Sequence, residues 1–82
     1  MARLMIVDDE EHIRSLYKLE LEDEGHEVLA LSTGKALKEK IAEFRPDLIV
    51  LDIKMVDMNG LDVFQDIRGK YYDLPVILCS AY

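Results

Sequence analysis

The chain alternates between short, uninterrupted apolar runs and longer amphipathic stretches, and no other feature narrows its possible folds as far. The runs are Leu4-Met5-Ile6-Val7, Val28 to Leu31, Asp47-Leu-Ile-Val-Leu-Asp52 and Val76-Ile77-Leu78-Cys79. Apolar runs of this length that lack a polar residue at every second position are those of strands covered on both faces. Between them the period changes. From Glu10 to Glu24, Ile13, Leu16, Tyr17 and Leu21 recur at three- and four-residue steps, with Glu10 and Glu11 suited to a helix N-terminus and Gly25 to its end. After Ser32-Thr33-Gly34, Leu37, Ile41 and Phe44 form a second helical stripe that Pro46 stops. Gly60 opens a third, with Leu61, Phe64 and Ile67, and Gly69 to Asp73 lead on to Pro75 and the last run. The order βαβαβαβ predicts an α/β fold, a doubly wound parallel sheet with helices on both faces and right-handed crossovers.

At 82 residues the chain is sized for one small domain, 1–82, with thin stability. Its 50% apolar and 33% charged residues fit a folded globular protein and argue against disorder. No run approaches the ~18 apolar residues of a membrane helix. Met1 to Val7 run straight into Asp8-Asp9, too short and too acidic a start for a signal peptide. A single cysteine, Cys79, forms no internal disulfide and agrees with a reducing, cytoplasmic location. The net charge of −7 argues against direct binding to nucleic acid, whose phosphates require a cationic face.

Chemistry concentrates at the ends of the strand-like runs. Asp8 and Asp9 end the first and Asp52 ends the third. If those strands are neighbours, ~4.8 Å apart, three carboxylates converge at one rim of the sheet, where ligands bind in open α/β folds. Two carboxylates ~6 Å apart repel by roughly 2–3 kcal/mol at an effective dielectric near 20. Such a cluster asks for a cation, and all-oxygen ligation by few groups suits Mg²⁺. A carboxylate beside the metal is also a competent nucleophile toward phosphorus, and Ser80 at the end of the fourth run would offer a hydroxyl. Acids after strands most often serve as helix N-caps, which is the plain reading of Asp8 or Asp9 alone. Asp52 resists it, because Ile53 to Asn59 intervene before the next helix.

Together, Ile6-Val7-Asp8-Asp9-Glu10, Pro46-Asp47-Leu-Ile-Val-Leu-Asp52-Ile-Lys-Met, Met58-Asn59-Gly60 and Pro75-Val-Ile-Leu-Cys-Ser80-Ala-Tyr82 resemble the receiver domain of bacterial two-component response regulators. The resemblance implies a flavodoxin-like sheet of order 2-1-3-4. It implies Asp52 as acceptor of a phosphoryl group from a sensor histidine kinase or phosphotransfer protein. It further implies Mg²⁺ held by Asp8, Asp9, Asp52 and the backbone carbonyl of Lys54, and Ser80 as the switch hydroxyl. Lys54 and Tyr82 would tune access of water. Such a module accepts one group per signal and is not an enzyme.

Two departures from the family pattern bear on this reading. Val56 stands where the loop usually has a proline. The 82 residues also stop before the fifth strand and last two helices of a full receiver, and so before the fifth-strand lysine that pairs with the phosphoryl group. Phosphorylation is therefore expected to be impaired. The fourth strand would be an apolar sheet edge, a form that recruits other strands, and a sheet face would be uncovered, so a homodimer through either is expected. A phosphorylation-independent self-association module is the alternative function. A phosphohydrolase with an aspartyl nucleophile fits less well, since Lys54 stands where such enzymes carry a second acid.

Other residues have plain readings. His12 reads as a solvated surface residue, His26 as loop, Cys79 as inert core packing, and Met5, Met55 and Met58 as fillers or loop anchors.

Overall fold

The computed structural model describes every residue except Val56, Met58 and 80–82. Its elements follow the expected order: β1 (Arg3–Val7), α1 (Glu11–Asp23), β2 (Glu27–Leu31), α2 (Gly34–Phe44), β3 (Leu48–Asp52), α3 (Gly60–Arg68) and β4 (Val76–Cys79). The four strands form one parallel sheet of order β2-β1-β3-β4, the flavodoxin-like order that the resemblance implies. Val7 lies beside Leu51, and Asp52 beside Cys79.

Local signals explain the element ends. α1 closes in a paired turn in which Gly25 N–H donates to Glu22 O and His26 N–H to Leu21 O, and Gly25 takes the left-handed conformation, φ 91°, that this closure needs. Thr33 Oγ1 caps α2 by accepting from Ala36 N–H at 3.0 Å. α2 ends at Arg45, left-handed at φ 56°, one residue before Pro46. Asn59 Oδ1 caps α3 by accepting from Leu61 N–H at 2.7 Å.

The two faces of the sheet are unequal. On one, Met5, Val7, Leu37, Ile41, Ile49, Leu51, Val63 and Ile67 form a closed core beneath α2 and α3. On the other, Leu4, Ile6 and Val28 are the buried hydrophobic residues among those described. No residue of α1 is buried, and its stripe residues Leu16 and Tyr17 are 52% and 41% exposed. A groove of about 340 Å³ opens on this face, lined by Leu4, Ile6, Tyr17, Leu21, Val50, Ile77 and neighbours. Ile77 is 52% exposed, as expected for a fourth strand at an uncovered face, whereas Cys79, expected as core packing, is only partly buried, because α1 reaches β1 and β2 but leaves the groove open over β3 and β4. Among the described residues no helix is long and apolar enough to cross a membrane.

Candidate metal centre

The C-terminal rim of the central strands carries the acids. Asp8 follows β1 directly and Asp52 is the last residue of β3; each is 5% exposed, while Asp9 is more open. Pairing of β1 with β3 brings the three together, and each offers a carboxylate oxygen within 4.8 Å of the other two. The convergence of the three carboxylates expected from the sequence is met in space.

The rim is held by its own backbone. Asp8 Oδ1 accepts from Glu10 N–H at 2.9 Å, and Asp8 N–H donates to Leu31 O at 3.1 Å. Arg14, one turn into α1, donates from Nη1 to the carbonyl of Asp8 at 2.8 Å. Lys54 N–H donates to Asp52 Oδ1 at 3.1 Å, orienting that carboxylate. Beyond it, Lys54 and Asn59 bridge antiparallel across the base of the β3–α3 loop, and Gly60 N–H donates to Ile53 O at 2.7 Å. A side chain at Gly60 would collide with Asp52 O and come within 2.6 Å of Ile53 Cα. The glycine therefore lets α3 start against the backbone of the central acid.

Electrostatics agree with a site that wants a cation. Burial pushes the Asp52 carboxyl above its ordinary value; the Lys54 amide opposes this, while Asp8, Asp9 and Glu10 add to the rise. The Cys79 thiol is also pushed up, by burial and then by Asp52 and Asp8. That agrees with an inert thiol; its Sγ lies 3.7 Å from Leu51 O. Two buried carboxylates and a third beside them, with oxygen as the only donor atom, fit a hard divalent ion of the Mg²⁺ type. A larger depression of about 390 Å³, lined by Arg45, Pro46, Asp47, Tyr71 and Pro75 among others, lies at the opposite end of the sheet, before β3 and β4.

Residues 4–82 match the sequence model of the response regulator receiver domain. The chain belongs to this receiver family. It is 36% identical over 81 residues to the transcriptional regulatory protein KdpE of Mycobacterium tuberculosis, covering 99% of this chain and 35% of that protein. It is 33% identical over 79 residues to the alkaline phosphatase synthesis regulator PhoP of Bacillus subtilis, covering 96% of this chain and 33% of that protein. The receiver thus spans about a third of the length of these curated relatives. The response regulator TrrA of Thermotoga maritima, solved in complex with Mg²⁺-BeF, superposes with a TM-score of 0.93 at 41% identity, over 100% of this chain and 71% of that one. TrrA has also been solved in complex with the histidine kinase ThkA.

Of the positions that the receiver resemblance singled out, Asp8, Asp9 and Asp52 converge, and Lys54 contributes its amide to Asp52. Ser80 and Tyr82, the loop position Val56, and Met58 lie outside the described residues. Sequence reasoning missed Arg14, Asp57 and the packing role of Gly60. A glycine at the first position of a helix was the one available signal, for Gly60; the partners of Arg14 and Asp57 are set by the tertiary fold.

Proposed function

We propose that this receiver accepts a phosphoryl group on Asp52 from a phosphohistidine of a sensor kinase, in a Mg²⁺-dependent step that transmits a signal. The observation that carries the reading is the convergence of Asp8, Asp9 and Asp52 at the rim within a chain of the receiver family. TrrA's complexes with Mg²⁺-BeF and with a histidine kinase support the same ion and the same class of partner. Asp8, Asp9, Asp52 and the Lys54 carbonyl would hold the ion, which when bound offsets charge on the phosphoryl oxygens. The rest of the step belongs to the chain. The Lys54 amide fixes one Asp52 oxygen, so the other is presented for in-line attack. That oxygen bonds to phosphorus as the P–N bond of the donor breaks, and the imidazole leaves with the electron pair and takes up a proton. Ser80 would donate its hydroxyl to the transferred group. The product is one acyl phosphate per chain, a stoichiometric acceptor and not a turnover enzyme, acting in the cytoplasm.

Acetyl phosphate with Mg²⁺ is expected to add one hydroxylamine-labile phosphoryl group by mass, and Asp52→Asn to abolish it. Labelling that survives the substitution overturns the assignment.

A second reading, self-association independent of phosphorylation, is favoured by one observation. The groove on the α1 face and exposed Ile77 form a continuous apolar surface ending at β4, which among the described residues pairs only with β3. A second copy, related by a two-fold axis, would cover both. Association unchanged by Asp52→Asn and by removal of Mg²⁺ separates this reading from the first.

A further inference from the structure

The β3–α3 loop, which carries Lys54, is fastened at a distance from the acids. Asp57 reaches from this loop to the start of α2, where its two carboxylate oxygens accept from Gly34 N–H and Lys35 N–H, each at 3.3 Å. The first four amides of a helix have no partner within it. Here all four are accounted for: Gly34 and Lys35 by Asp57, Ala36 by Thr33 Oγ1, and Leu37 by Thr33 O. A carboxylate at this end also meets the positive pole of the helix. α2 is a firm support, since Gly34, Leu37 and Ile41 are all buried and Lys38 pairs with Asp66 of α3 at 2.8 Å. The loop is thus pinned at its base by the Lys54–Asn59 bridge and, further out, by Asp57.

We infer that Asp57 is a positioning residue for the metal and phosphoryl site: by tying the loop to α2 it holds the Lys54 backbone, whose amide orients Asp52. This rests on the phosphoacceptor reading of Asp52 and extends it to a residue that touches neither ion nor phosphoryl group. By linkage, an ion that fixes Lys54 also tightens Asp57 on α2, so the amides of Gly34 and Lys35 report on the site.

The test uses the 82-residue chain with MgCl₂ as probe, reading Mg²⁺ affinity by calorimetry and exchange of the Gly34 and Lys35 amides by NMR. Asp57→Ala is expected to weaken Mg²⁺ binding on the order of tenfold, the lower end for a residue supporting metal ligands. It is also expected to remove the Mg²⁺-dependent protection of both amides. Its melting temperature is expected to fall by only a few degrees, the effect of losing one helix cap supplied by an exposed residue. Loss of a negative charge near a cation would by itself weaken binding, so Asp57→Asn is the control: it loses the same charge but keeps one acceptor. Recovery of at least half the loss, on a logarithmic scale, supports positioning. Equal weakening by both variants, or no weakening by alanine, overturns it. A parent chain that binds no Mg²⁺ overturns the reading of the site itself and the role of Asp57 with it, a result distinct from failure of Asp57 alone, which leaves parent binding intact.

Discussion

The two faces of this sheet are built from the same strands, yet they differ in how far they close. Leu48, Ile49, Val50 and Leu51 alternate sides, so one strand supplies both. Ile49 and Leu51 enter the core under α2 and α3 and are fully buried. Leu48 and Val50 face the groove beside α1 and are only partly covered. Two helices cover one side and one helix the other, and a single helix about 10 Å wide cannot span four strands ~4.8 Å apart. The same alternation carries Asp52 onto the open side, at the end of the row begun by Leu48 and Val50. The well-packed face thus serves as the rigid backing, and the incompletely covered face bears the chemistry.

The largest test of this contrast changes one residue type on both sides of β3. Leu51→Ala should leave a cavity that its close-packed surroundings cannot fill, and cost about 2–5 kcal/mol in denaturant unfolding. Leu48→Ala removes the same atoms from a surface that solvent already reaches, and should cost about 1–2 kcal/mol. Equal losses would mean that the α1 face is as closed as its opposite.

Gly60 joins the closed face to the acids. Gly60→Ala forces a methyl group into the backbone of Asp52 and Ile53, and relief requires α3 to move off its packing through Val63 and Ile67. A stability loss of about 1–3 kcal/mol is expected, with weaker Mg²⁺ binding in the same variant. Unchanged Mg²⁺ affinity despite lost stability would show that the position of α3 does not set the geometry of Asp52.

Ile77→Lys addresses the open face alone. Since Ile77 is half exposed, stability should move by no more than about 0.5 kcal/mol. A charge on an edge strand opposes pairing with another chain, so any dimer of the parent seen by light scattering at micromolar concentration should become monomer. A parent already monomeric there would remove the support for self-association.

The sequence made the closed face legible because its information is local and periodic. Apolar runs of four residues became strands, Thr33 and Gly25 marked helix ends, and acids at run ends became the rim. An uncovered face was expected from the family pattern, but which helix stripe would lie beside it was not visible in the periodicity. The stripe of Ile13, Leu16, Tyr17 and Leu21 looks as apolar as that of α2, but whether a stripe is covered depends on what packs beside it, not on its spacing. Likewise the neighbours of Asp57 lie over 20 residues away in the chain, joined only once the sheet has formed.

The smallest effect concerns the sign of two acids, one on each face. Burial raises Asp52 from its ordinary value, the Lys54 amide opposes the rise, and Asp8, Asp9 and Glu10 add to it. In the window between the ordinary value and the raised one, the folded chain keeps a proton that the unfolded chain has released. Stability from this group therefore falls as pH rises through that window, and above it the penalty is constant. Asp52→Asn removes the penalty, so at neutral pH the variant should melt above the parent, with the difference shrinking as pH falls and vanishing below the ordinary carboxylate value. Asp66 lies on the helices of the closed face, exposed and paired with Lys38, and Asp66→Asn should lower stability by less than about 0.5 kcal/mol. Saturating Mg²⁺ should raise the melting temperature of the parent and of Asp66→Asn, but much less that of Asp52→Asn, because asparagine at 52 replaces one of the three carboxylates that would hold the ion with a neutral group. An Asp52→Asn variant less stable than the parent at neutral pH would mean that the rim already holds compensating charge, and the open face would then have no unmet demand for a cation.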